Sequence, residues 1–147
     1  MRTRSKVFFK VEQDADGYPG VGSESIWAAS GPDEKSLIID NIPFFATEAN
    51  WGDVIAVDER DGVWWFRQVL RKSPFSLIRI VFFRTDEQQR VNSELTTFGC
   101  QTEYWAERKL LSVAVPNEKV QAVELFLDNE ASLGSLDYEE PIIRGQR

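Results

Sequence analysis

Residues 77–99 read LIRIVFFRTDEQQRVNSELTTFG, and the change of period inside this stretch decides the fold class. From Leu77 to Phe83 apolar side chains fill both alternating sets except at Arg79. That is the pattern of a strand covered on both faces, and it predicts a central strand. Beyond Arg84 the period lengthens. Asp86 with Gln89 three positions on predicts a capping box. Val91, Leu95 and Phe98 then recur at i, i+4 and i+7, one face of a helix, and Gly99 stands where a helix-ending glycine belongs.

Towards the C-terminus the alternation repeats. Residues 101–105 predict a short strand. Leu111, Val113 and Val115 alternate with Ser112 and Ala114, a second strand. Asn117 predicts a cap for another helix, with Glu118 in its first turn and Val120, Val123 and Leu127 as its buried stripe. Gly134 ends it, and Tyr138 is expected to anchor a loose acidic tail.

Towards the N-terminus only strand patterns appear, over residues 7–12, 23–29, 37–39, 54–58 and 63–70. Ile26 and Trp27 fall on opposite faces of the second. Asp61-Gly62 between two apolar runs predicts a tight hairpin, because such turns demand positive φ. Asn41-Ile42-Pro43-Phe44-Phe45 predicts an aromatic corner, since Pro43 has no place in a central strand. Strands first and helices later imply α+β. We therefore expect an antiparallel sheet or small, partly open β-barrel over residues 1–72. A ferredoxin-like β-α-β-α half with two helices on one sheet face follows over 73–147, the two subdomains sharing one core through residues 77–83.

Composition narrows the chemistry. The 147 residues contain no histidine and one cysteine, Cys100. The usual general base near neutral pH and the commonest metal ligand are missing, so no metal and no cofactor is expected. Cys100, just past a helix C-terminus, is placed where the dipole disfavours a thiolate and is expected as a buried small hydrophobe. Gly17-Tyr18-Pro19-Gly20-Val21-Gly22 lacks the Lys-Ser/Thr of a phosphate loop. Asp58-Glu59-Arg60-Asp61 lacks calcium-loop spacing and is expected as a solvated hairpin tip. Paired-carboxylate hydrolysis stays open on composition, but nothing marks one pair among the 24 acids. No catalytic residue is assigned, and the chain is expected not to be an enzyme.

The net charge is −7. Residues 1–83 hold 10 basic and 12 acidic groups and residues 84–147 hold 7 and 12, so the second half carries most of the excess. Such a surface repels nucleic acid and anionic membrane and attracts a basic partner. No apolar run approaches a membrane span and no signal core follows the basic start, so the cytoplasm is the expected compartment. Arg79, inside an apolar strand, needs a partner if buried, and Glu24 and Asp53 are the candidates. Of the adjacent Trp64 and Trp65, one must face away from the core. Glu124, Asp128 and Glu130 are placed outside the stripe of the second helix, facing water. These three acids, with Trp51 or Trp64 as apolar anchor, form the expected partner-binding residues.

A set of residues along the chain carries a resemblance: Ser23-Glu24-Ser25-Ile26-Trp27, Asn41-Ile42-Pro43-Phe44-Phe45-Ala46, Trp51-Gly52-Asp53-Val54-Ile55-Ala56-Val57, Trp65-Phe66, Ser73 and Ile78-Arg79-Ile80. Their order resembles a bacterial family known only as a domain of unknown function, over residues 6–138. The chain departs from the family pattern at Ser73-Pro74, where the family favours Ser-Gly. In profile it is similar to immunity proteins, which bind a toxin and block its active site. The profile implies a cytoplasmic inhibitor of a basic, nuclease- or deaminase-like toxin. The alternatives are a general protein-interaction or regulatory domain, or a module binding nucleic acid or a small ligand.

Overall fold

The computed structural model describes residues 4–17 and 22–144. Tyr18 to Val21 of the glycine-rich segment lie outside the described residues. The described chain forms two compact units that meet in sequence between Ser73 and Pro74.

The first unit is a five-stranded ring of β1 (Arg4–Lys10), β2 (Ser23–Ser30), β3 (Ser36–Ile39), β4 (Val54–Arg60) and β5 (Val63–Arg71). Each strand pairs antiparallel with the next. In a five-strand meander the first and last strands run the same way, so the seam between β1 and β5 is parallel, pairing Val7 with Trp64 and Phe8 with Trp65. The ring is closed rather than partly open, which leaves no strand edge to solvent. Two register shifts on β4 and β5 add the local twist that closure requires. Asp61 and Gly62 both have positive φ, 52° and 80°, as a two-residue hairpin turn demands. Val7, Phe9, Ile26, Ala28, Ile39 and Ile55 fill the interior, with Phe9 stacked on Phe66 at 4.7 Å.

The second unit is a four-stranded antiparallel sheet in the order β7-β8-β6-β9. Its strands are β6 (Phe75–Phe82), β7 (Gln101–Trp105), β8 (Leu110–Pro116) and β9 (Leu136–Ile142), with helices α1 (Gln88–Thr97) and α2 (Val120–Ser132) between them. This is the complete β-α-β-β-α-β arrangement of the ferredoxin-like motif, not half of it. Residues 136–142, expected as a loose tail, form an edge strand. An edge strand tolerates the charges and Pro141 that hide it in the sequence. As expected, β6 is an inner strand, and it pairs with β8 and β9.

The core of this unit joins Ile78, Ile80 and Phe82 of β6 and Leu111, Val113 and Val115 of β8 to Val91 and Leu95 of α1 and Val120, Val123 and Leu127 of α2. Both helices therefore lie on one sheet face. Every residue from Leu110 to Val115 is buried, Ser112 and Ala114 included. Neither helix begins with a side-chain cap. Each is entered through a 3₁₀ turn, Thr85–Glu87 and Asn117–Lys119, without a capping bond from Asp86 or Asn117. The Asn117 side-chain oxygen Oδ1 instead accepts from the Ser76 hydroxyl at 2.8 Å.

Candidate functional site

Of the residues that carry the resemblance, Glu24, Phe44 to Ala46, Trp51, Asp53 and Ser73 meet at one end of the ring, where β3 stops and β4 starts. The intervening residues 40–53 form no helix or strand, and side-chain acceptors hold their backbone. Glu24 takes three consecutive N–H groups, from Phe44, Phe45 and Ala46, at 2.7, 3.1 and 2.9 Å. Asp53, fully buried, takes the N–H of Asn50 at 2.9 Å and that of Ser73 at 2.8 Å. The Ser73 hydroxyl donates to the Trp51 carbonyl at 2.7 Å. Gly52 stands at φ 84°, with the Ser73 Cβ 3.1 Å from where a Cβ of its own would lie, so a side chain there would be strained and crowded. Ala46 and Ala49 of this segment enter the ring's buried cluster. That end of the ring is thus stoppered by its own chain, and the motif residues there hold backbone.

The opposite end is open. Where β1 and β5 begin and β4 ends, a cleft of about 480 Å³ is floored by Leu37 and Val57 and walled by the indole of Trp64. Its rim carries the carboxylates of Glu34, Asp58 and Glu59 and two cations, Lys35 and Arg67. Arg67 leans towards Asp58 at 4.0 Å with both side chains well exposed, a pair worth little in water. Trp64 is 38% exposed, whereas Trp65 packs against Phe8 on the outside of the ring with Arg60 over its face at 5.7 Å. The outward member of the tryptophan pair packs on its strand neighbours, and the inward member stands at the mouth. Mouths of small barrels are recurrent ligand sites.

The other expected residues are dispersed. Trp51 is half-buried in the stoppered end. Glu130 does not face water: it is 5% exposed. It receives both terminal nitrogens of Arg90 at 2.8 Å and the Ser135 hydroxyl at 3.3 Å. These donors, Arg90 first, hold its carboxyl below the usual glutamate range despite burial. Arg90 is in turn raised, by Glu130 and then Glu87. This trio ties α1 to α2. The spacing Val123, Leu127, Glu130 continues the apolar stripe at i+4 and i+7, a signal that the residue type concealed. Asp128 is exposed and accepts the Tyr138 hydroxyl at 2.5 Å. Burial, then this bond, raises the Tyr138 phenol. Glu124 is half-buried.

Arg79 is 4% exposed and lies on the sheet face away from the helices, with Glu139 of β9 at 3.8 Å. Glu24 and Asp53, its expected partners, each hold backbone N–H groups of the first unit. Cys100 is buried, which pushes its thiol up to about 12. Among the described residues no cluster of three or more carboxylate or thiol groups could hold a metal ion, and no helix is long and apolar enough to cross a membrane.

A crystal structure of a hypothetical protein from Neisseria gonorrhoeae is similar to this chain at a TM-score of 0.79 and 21% identity, with 99% of each chain covered. That likeness speaks for the fold alone. No curated protein matches. The model of the family described as a domain of unknown function (DUF4265) matches residues 24–138, from the glutamate that holds the stoppered end to the tyrosine of β9, and the chain belongs to that family.

Proposed function

We propose that this protein is a non-catalytic binding protein that takes a basic surface of a partner protein at the open end of its ring. The observation that carries this reading is Trp64, a large apolar side chain left 38% exposed at the mouth of a cleft rimmed by Glu34, Asp58 and Glu59. Tryptophan is enriched among the anchor residues of protein interfaces, and the surrounding acids suit a basic partner. The net charge of −7 would speed encounter with such a partner and disfavour nucleic acid. In its finer form the partner is a nuclease- or deaminase-like toxin, and the bound protein covers the groove that otherwise takes nucleic acid phosphates.

The α2 acids support an interface less well than the ring. Glu130 is committed to Arg90 and Asp128 to Tyr138. The test is affinity capture from a native host extract with wild type, Trp64→Ala, and Glu124→Lys combined with Asp128→Lys. A partner retained by wild type and by the α2 variant but lost with Trp64→Ala supports the ring. Loss with the α2 variant alone places the interface on that helix. For the finer form, the captured partner's nucleic-acid chemistry should be inhibited by wild type and restored by Trp64→Ala.

A further inference from the structure

Cations of the chain itself lie over Trp27, Trp65 and Trp105, three of its five indoles. Arg4 and Lys6 lie over Trp27 at 5.0 and 5.3 Å, Arg60 over Trp65 at 5.7 Å, and Arg108 over Trp105 at 4.9 Å. Among the described residues no cation lies over Trp64, although it is as exposed as Trp27, at 38% against 39%. The cleft that Trp64 walls holds two carboxylates, Glu34 and Glu59, that make no ion pair among the described residues. An open indole face beside unpaired carboxylates is the surrounding that a foreign organic cation requires.

We infer that this cleft takes an arginine side chain of the partner, its guanidinium lying on Trp64 and its N–H groups directed to Glu34 and Glu59. The inference rests on the binding reading above and names the chemistry of its occupant. Arginine is favoured over lysine because its planar guanidinium stacks on an aromatic face while its fork still serves carboxylates. The chain itself lays guanidinium groups on indoles in the same way, Arg4 on Trp27, Arg60 on Trp65 and Arg108 on Trp105. The floor of Leu37 and Val57 suits the methylene stem. Asp58 is already engaged by Arg67. Lys35, on the same rim, opposes the incoming charge.

The experiment titrates the full chain with an acetylated, amidated Gly-Arg-Gly-Arg-Gly peptide and follows the indole N–H resonances. Peptides with citrulline or lysine replacing arginine serve as comparisons. Citrulline keeps arginine's shape without its charge. The Trp64 resonance, identified by its loss in Trp64→Phe, should shift and saturate with the arginine peptide. It should move far less with either comparison peptide. Trp64→Leu keeps an apolar wall without a π face and should weaken the arginine peptide by about fivefold. Glu34→Gln with Glu59→Gln should weaken it and flatten the salt dependence, and Lys35→Ala should tighten it.

Citrulline or lysine binding as well as arginine, or a shift confined to other indoles, overturns the inference. If a captured partner still depends on Trp64 while the arginine peptide shows no preference, the binding reading stands and the arginine assignment falls. If the peptide behaves as expected and no partner depends on Trp64, the assignment stands and the binding reading falls.

Discussion

Replacing Asp53 by asparagine removes one negative charge and almost no volume, so it isolates what the carboxylate does for the stoppered end of the ring. Asp53 is fully buried. Its two oxygens each accept one backbone N–H, from Asn50 and from Ser73. Asparagine offers one carbonyl oxygen and, in the other position, an NH₂ that points a donor at a donor. One bond to a charged acceptor is lost, at about 1.5–3 kcal/mol, and a buried N–H is left without a partner. Together these give an expected loss of about 2–4 kcal/mol. In a unit of this size that lowers the melting midpoint by roughly 10–25 °C. Urea titration followed by tryptophan fluorescence reads it, because Trp27, Trp51, Trp64 and Trp65 lie in the first unit and Trp105 alone in the second. A loss below about 1 kcal/mol would refute the claim that this carboxylate fastens residues 40–53 and Ser73.

Three further outcomes are expected. Glu130→Gln should destabilise the second unit by about 1–3 kcal/mol. Because the folded Glu130 carboxyl is lowered by Arg90, its contribution is full above the ordinary glutamate value of about 4.3 and is lost as pH falls through the folded value. The acid limb of stability against pH should therefore flatten in the variant, and a limb unchanged from wild type would sink the assignment. Ile80→Ala, at a position with no exposure, should cost about 2–5 kcal/mol in denaturant titration; below about 1 kcal/mol, β6 is not the spine of that core. Cys100, with its thiol pushed up to about 12 by burial, should ignore a thiol reagent at pH 8 in the folded protein and react at once in urea; prompt reaction of the native protein would contradict its burial.

Much of the architecture was legible because alternation and helical period are direct imprints of burial. The Asp61-Gly62 turn, the strands around it, the β6 run and the Val120, Val123, Leu127 stripe could all be read from spacing. What escaped were positions where burial is reached by polar means. Residues 136–142 carry acids and a proline, so the pairing of β9 with β6 left no apolar signature. Glu130 sits on the buried stripe but reads as a surface acid, because its partner Arg90 comes from a helix 40 positions away in sequence. Glu24 and Asp53 were expected as partners of Arg79, and their hold on backbone N–H groups was not legible, since backbone donors have no sequence spacing. Trp64 was singled out as an anchor from its adjacency to Trp65. The rim of its cleft was invisible, because closing the ring brings together residues 34–37 and 57–67.

The strand order β7-β8-β6-β9 also has a meaning in time. A ribosome delivers the chain from the N-terminus, and domains fold as their last element emerges. The ring has all its strands once residue 71 is out. The second sheet is different, because its first-made strand, β6, lies between β8 and the last-made strand, β9. Until residues 136–142 emerge, β6, which supplies Ile78, Ile80 and Phe82 to the core, has an open flank. For that interval it is exposed to pairing with other chains. The acids and proline of β9 then make the finished edge a poor template, so the vulnerability belongs to synthesis and ends with the arrival of the last strand.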